Sequence, residues 1–228
     1  MTACLPRLDH LRREDFHFVY EPSDDTYLLC DALLHDLPSL LSSPPLVCCE
    51  VGTGSGAVLT YLQLLLREHH RLALYLATDL NPKACRVAAR TARYNHCSVD
   101  AIHTTFTDGI LDNQVDVLIF NPPYVPTPDE EVSGSGIEVS WAGGAQGRVV
   151  IDRFLSRIER ILSHRGVLYL VLVKENKPSE VRRLLSLKGL DTEILLRRRA
   201  SNEELLVLKA WRQIDRRKDR GSDILLIT

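Results

Sequence analysis

What this sequence lacks removes several classes of protein before any motif is considered. No apolar run approaches about 18 residues, and the N-terminus shows no charged start followed by an apolar core. Neither a membrane span nor a secretory leader is therefore expected. The formal net charge is only −2, with an isoelectric point near 6.4, so no dominant field draws the chain to nucleic acid or membrane. The six cysteines (Cys4, Cys30, Cys48, Cys49, Cys85, Cys97) form no C-x-x-C pair and no regular framework. Several lie within apolar runs, which predicts reduced, buried thiols and a cytoplasmic or nuclear location. The histidines have no cysteine or carboxylate at ligand spacing, so no metal site is expected. A Gly-x-Ser-x-Gly elbow, a Walker loop, internal repeats and low-complexity tracts are all missing, which weighs against hydrolase and triphosphatase readings.

The remainder is ordinary in bulk. A chain of 228 residues, 45% hydrophobic and 25% charged, can bury a core without disulfides or metal. It divides into an extended or weakly helical arm (1–19), one domain (20–211) and a basic polar tail (212–228) that is expected to be poorly ordered.

Within the domain, a helix is expected over residues 24–37, started by Ser23 or Asp24 and followed by a proline- and serine-rich loop to Pro45. Residues 46–51 read as a strand running directly into Gly52-Thr53-Gly54-Ser55-Gly56 and then a helix with apolar residues at helical spacing. Residues 73–78 form the next strand, ending in Asp79, and Pro82 opens a helix to about residue 95. Strands follow at 100–104 and 115–120, then a glycine-rich loop (125–147) and an amphipathic helix (148–162). A strand at 166–173, a helix at 178–187 and two final strands near 193–197 and 204–210 complete the pattern. Strands alternating with helices, then a strand pair, predict an α/β protein with a Rossmann-like doubly wound sheet of seven strands and an antiparallel closing strand.

The chemistry gathers at the strand ends. The apolar run 115–120 stops at Asn121-Pro122-Pro123-Tyr124, because proline offers no backbone donor to a ladder. The motif presents an Asn amide, stiff carbonyls and an aromatic ring, a grip for a small planar group carrying both donor and acceptor. The alternative is an X-Pro-Pro turn with a chance Asn and Tyr. Gly52 and Gly54 permit close backbone approach to a ligand, while Glu50 would repel a pyrophosphate and accept from a cationic amine. Asp79 stands where such folds hold ribose hydroxyls, with helix capping as its competing role. Asp108, before Gly109, is placed to accept from an adenine amino group, or is a turn residue. Together these acids suit a ligand with amine, ribose and adenine parts, and S-adenosylmethionine fits better than a dinucleotide.

Residues 20–29, Glu50 to Gly56, Asp79 to Pro82, the Asn-Pro-Pro-Tyr stretch and Trp141-Ala142-Gly143-Gly144 together resemble the HemK family, protein-glutamine N5-methyltransferases of the class I methyltransferase fold. The likeness runs from about residue 19 to 208. It is to the short eukaryotic and archaeal branch, since the chain has no room for the additional N-terminal helical domain of bacterial members; Lys174-Glu175-Asn176 agrees with that branch. The resemblance implies a class I translation termination factor as substrate, methylated on the glutamine of its Gly-Gly-Gln motif. It implies that Asn121 and Pro122 accept the two amide N–H groups and that Tyr124 packs on the amide plane. Glu50, Gly52, Gly54 and Thr26 would then serve the methionine end, Asp79 the ribose, and Asp108 with Gly109 the adenine. It also implies a heterodimer with a small zinc-binding activator subunit, which the chain's apolar strands and cysteines could meet. The same four-residue motif occurs in DNA methyltransferases acting on amino-bases, and a lysine acceptor or a non-catalytic cofactor-binding scaffold are further alternatives. The short chain, without a basic recognition domain, favours protein over DNA.

Overall fold

A computed structural model describes residues 4–132, 137–200 and 203–212, forming one seven-stranded sheet with helices packed on it. The strands are β1 (Val47–Val51), β2 (Leu74–Asp79), β3 (Asp100–His103), β4 (Val115–Phe120), β5 (Leu162–Val173), β6 (Leu190–Ala200) and β7 (Glu203–Arg212). Their order across the sheet is β3-β2-β1-β4-β5-β7-β6. β1 to β5 run parallel, while β7 is antiparallel to β5 and to β6. The closing antiparallel strand thus lies one place inside the edge, which β6 occupies.

The helices are α1 (Asp24–His35), α2 (Leu37–Ser42), α3 (Ala57–Glu68), α4 (Pro82–Tyr94), α5 (Asp129–Val132), α6 (Val149–Leu155), α7 (Ile158–Ile161) and α8 (Pro178–Leu187). Strand order reverses between β1 and β4. Right-handed crossovers therefore put α3 and α4 on one face and the β4–β5 connection on the other. α1 packs against α3, and α3 against α4. Sheet positions covered on both faces must be apolar throughout, and all six residues of β4 are buried. Asp116 is tolerated among them because it sits at the sheet's amino end. There its carboxylate accepts from Leu46 N (2.8 Å), Val47 N (3.2 Å), the Ser163 hydroxyl (2.6 Å) and the Arg165 guanidinium (3.2 Å).

Several expectations shift. The loop expected after residue 37 contains α2, because Pro38 falls in its first turn, where no backbone donor is needed. The single helix expected over 148–162 breaks at Ser156–Arg157 into α6 and α7, and β5 begins four residues before Gly166. The arm is extended with one short 3-10 turn at Asp15–His17, as expected, and it is tied to α4: Arg7 and Asn95 exchange two hydrogen bonds (2.7 and 2.9 Å), and Val19 is buried against Ala84 and Val87. Cys30, Cys48, Cys49, Cys85 and Cys97 lie in the interior as free thiols pushed up by burial, so they supply no surface for a partner; only Cys4 is exposed. The basic tail beyond Arg212 lies outside the described residues. Among the described residues no helix is long and apolar enough to cross a membrane, and no group of three or more metal-ligating side chains stands together.

Candidate active site

The carboxyl ends of β1, β2 and β4 converge where the strand order reverses, the place where open α/β sheets bind ligands. At the end of β1, Glu50 is buried, and its Oε2 accepts from the Thr53 hydroxyl (2.8 Å) and Leu59 N (3.2 Å). Burial pushes its carboxyl up to about 8, and Asp79 adds to the rise against those two hydrogen bonds. A carboxyl held so far from its ordinary value is poised for a cationic neighbour. The turn that follows takes left-handed angles at Gly52, Gly54 and Gly56, leaving its backbone bare on the crevice side.

Asp79 joins two of these loops. Its Oδ2 accepts from Gly54 N (3.0 Å) and its Oδ1 from Asn81 N (2.8 Å), and burial raises its carboxyl above the usual range. The capping of α4 falls instead to Asn81, which accepts from Lys83 N at 2.9 Å. Asp108 stands apart from this pair. Its carboxylate meets the Arg157 guanidinium at 2.6 Å on an exposed rim, next to Gly109 at φ 89°.

The acceptor side is built around a residue that the sequence reading passed over. Asp25, in the first turn of α1, is buried, and its Oδ2 accepts from Asn121 Nδ2 (2.9 Å) and from the Tyr124 hydroxyl (3.2 Å). Its Oδ1 accepts from Thr26 N (2.7 Å) and the Thr26 hydroxyl (3.3 Å), while the Thr26 oxygen takes a bond from Ser23 N (3.3 Å). Thr26 therefore closes the first helical turn and aims Asp25. A carboxylate only accepts, so the Asn121 amide has one orientation: its nitrogen faces Asp25 and its Oδ1 faces away. That Oδ1 is buried and takes no hydrogen bond. An orphaned buried acceptor is costly, and its presence marks a place for a donor from outside the chain. Burial and the Asp25 carboxylate push the Tyr124 phenol up, so it remains a proton donor.

Three further residues pin this motif. Asn176, fully buried after β5, donates to the carbonyls of Tyr124 (2.8 Å), Gln146 (3.0 Å) and Gly147 (3.3 Å). Arg148 donates to the Asn176 carbonyl at 3.0 Å. Gly143 lies so close that a Cβ there would fall 2.7 Å from the Pro123 carbonyl. The sequence signal for this packing is the Trp141-Ala142-Gly143-Gly144 run followed by a third glycine, Gly147. Its target could not be read without the fold.

The cradle of bare glycine backbone between buried Glu50 and half-buried Asp79 fits a ligand carrying an amine and ribose hydroxyls. Fold and site together are those of a class I methyltransferase, an enzyme that uses S-adenosylmethionine. The Methyltransferase small domain family matches residues 30–133. The chain is 43% identical to human "Methyltransferase HEMK2", over 88% of this chain and 92% of that one. It is 35% identical to the Schizosaccharomyces pombe "eRF1 methyltransferase catalytic subunit mtq2", over 91% and 95%. Among solved structures, the E. cuniculi Mtq2–Trm112 complex, described as acting in methylation of the eRF1 translation termination factor, superposes with a TM-score of 0.63. That match has 30% identity over 86% of this chain and 99% of that one. The chain belongs to the HEMK2 family of methyltransferases, within the wider HemK group.

Proposed function

We propose that this protein methylates the side-chain nitrogen of the glutamine in the Gly-Gly-Gln motif of a class I translation termination factor, acting with a small zinc-binding activator subunit. The observation that carries the reading is the Asn121 Oδ1: buried, unpartnered and fixed in direction by Asp25. The names borne by the fission yeast and E. cuniculi relatives support the substrate, and the latter's complex supports the partner.

An amide nitrogen is a poor nucleophile because its lone pair is delocalised into the carbonyl. Little acid–base power is needed at the site; what is needed is alignment. In this reading the Asn121 Oδ1 and the Pro122 carbonyl accept the two N–H bonds of the substrate amide and hold the nitrogen in line. Tyr124 covers the amide plane, its phenol tied to Asp25. When bound, S-adenosylmethionine would supply a methyl group on a cationic sulfur; Glu50 would hold its amine, Asp79 its ribose, and Asp108 with Gly109 its adenine. Thr26 acts through Asp25.

A net charge of −2 and a short chain without a basic recognition domain favour protein over DNA. The test is radiolabelled methyl transfer by the chain co-expressed with its activator, offered a termination factor, the same factor with its Gly-Gly-Gln glutamine replaced, histones and duplex DNA. Label on the intact factor alone is expected. Equal label on the replaced factor, or label only on histone or DNA, would sink the reading. The isolated chain is expected to be poorly soluble, and full activity without the partner would count against the heterodimer.

A further inference from the structure

We propose that Asn176 is a positioning residue for methyl transfer. Its carboxamide, with Gly147, locks the Tyr124 backbone to the turn around residues 143–148 and so fixes where the Asn-Pro-Pro-Tyr motif meets the acceptor. The inference deepens the functional reading above and rests on it.

The motif is held at two ends. At its start, Phe120 is in the ladder, paired with Val51 of β1 and Leu170 of β5, so the backbone entering Asn121 is fixed by the sheet. Beyond Asn121 the chain leaves the ladder, and Pro122 and Pro123 have no N–H with which to anchor themselves. The next backbone oxygen tied to a distant side chain is that of Tyr124, and the group holding it is the Asn176 amide at 2.8 Å. Two prolines with fixed φ make a stiff spacer, so a displacement at Tyr124 is carried back to Asn121 rather than absorbed.

The Asn176 amide cannot turn over. Its Oδ1 accepts from Val173 N (2.8 Å), and its Nδ2 faces three carbonyls that only accept. Two hydrogens serve three oxygens, at 2.8, 3.0 and 3.3 Å, so one bond is shared. One of those oxygens belongs to Gln146, held at φ 58° where a non-glycine side chain is uncomfortable. Gly147 follows at φ 67°, and a Cβ there would fall 1.8 Å from the Tyr124 oxygen. The turn can therefore reach Tyr124 only with glycine at 147 and an amide donor at 176. Arg148 closes the junction from the opposite side through the Asn176 carbonyl, braced by Asp152 and Glu180. None of these groups approaches Glu50, Gly54 or Asp79 through any hydrogen bond among the described residues, so the donor cradle stands apart from the junction.

The test compares Asn176→Asp and Gly147→Ala with the unaltered chain, each co-expressed with the activator. Asn176→Asp keeps size and the acceptor for Val173 N but turns a carboxylate toward three carbonyls. Gly147→Ala keeps the asparagine at 176 but would bring a Cβ to 1.8 Å from the Tyr124 oxygen and 2.5 Å from Asn176 Nδ2, forcing the two sides of the junction apart. Three quantities are measured: kcat on the termination factor, S-adenosylmethionine affinity by calorimetry, and melting temperature. Misplacing reacting groups by about 1 Å costs on the order of a hundred-fold, so kcat is expected to fall about ten- to a hundred-fold in both variants, with donor affinity within about two-fold. Wild-type kcat in both variants overturns the inference. So does donor affinity falling in step with kcat, or failure of both variants to fold, since the junction would then be structural only. Absence of transfer by the unaltered chain is the distinguishable case, in which the functional reading fails and takes this inference with it.

Discussion

Asp25 and Asn121 divide the work of one hydrogen-bonding site. Asn121 offers the oxygen, and Asp25 settles which way the carboxamide points. Removing Asp25 frees the amide to turn its nitrogen toward the acceptor, which would present a donor where an acceptor is needed. Asp25→Ala is therefore expected to lower kcat by about a hundred-fold while S-adenosylmethionine affinity changes little. Tyr124→Phe, which deletes only one of the two donors to Asp25 Oδ2, should cost about ten-fold or less. Steady-state kinetics with calorimetric donor binding checks both, and a Tyr124→Phe loss as large as that of Asp25→Ala would contradict the division. Glu50 provides a pH signature. Its carboxyl stands near 8 when folded against 4.5 in the unfolded chain, so the folded state holds one more proton between those values. Its favourable contribution is complete below pH 4.5, declines as pH rises, and is gone above about 8. Denaturation of the donor-free chain should therefore show stability falling across that window relative to Glu50→Gln, and a constant difference between the two would refute the assignment. Asn121 and Asp79 were legible in the sequence because prolines and a strand end mark their positions. Asp25 was not, because an acid in the first turn of a helix is the expected surface residue there, and only the packing of α1 on the sheet buries it.

At the level of elements, the parallel strands were readable because burial on both faces leaves near-continuous apolar runs. The errors fell where local preference and tertiary contact disagree. Residues 148–162 carry helical periodicity throughout. Yet Leu162 already pairs with Val115 across a bulge, and the ladder takes the chain from the helix. The glycine turn after β1 carries a sharper consequence. Gly56 precedes α3 at φ 74°, and a Cβ there would lie 2.7 Å from Ala88 Cα and 2.8 Å from Ala88 Cβ. α3 and α4 thus meet through a glycine, and α4 cannot withdraw without disturbing Asn81 and Asp79 at its start. Gly56→Ala is expected to cost about 2–4 kcal/mol, combining backbone strain with overpacking against main chain. Urea titration measures this, and a loss below about 1 kcal/mol would show that α4 yields freely.

Across the whole molecule, the arm ties the far end of α4 to the donor crevice. From the Arg7–Asn95 exchange it runs back along the helix. Asp15 meets Arg90 at 2.6 Å, the Phe18 carbonyl accepts from Asn81 Nδ2 at 2.7 Å, and Lys83 sits 3.1 Å over the Phe18 ring. It ends with Val19 against the glycine turn, its Cγ1 3.7 Å from where a Cβ on Gly54 would stand. Sequence showed only a charged, mixed segment, because these partners are about 35 to 90 positions away and leave no periodic trace. Since Gly54 N also bonds to Asp79, the arm braces the loop that joins both donor-side acids. Deleting residues 1–17 should therefore weaken S-adenosylmethionine binding several-fold, the equivalent of about one hydrogen bond. At saturating donor kcat should hold, because Asp25, Asn121 and Tyr124 make no hydrogen bond to the arm among the described residues. Asn95→Ala, which loosens the arm's far attachment and the bond of Asn95 to the Thr91 carbonyl at the end of α4, should shift affinity in the same direction by less, and it guards against a deletion that merely unfolds. Unchanged donor affinity in both variants would reduce the arm to a stabilising strap on α4, whereas a drop in kcat at saturating donor would mean that it reaches the acceptor side.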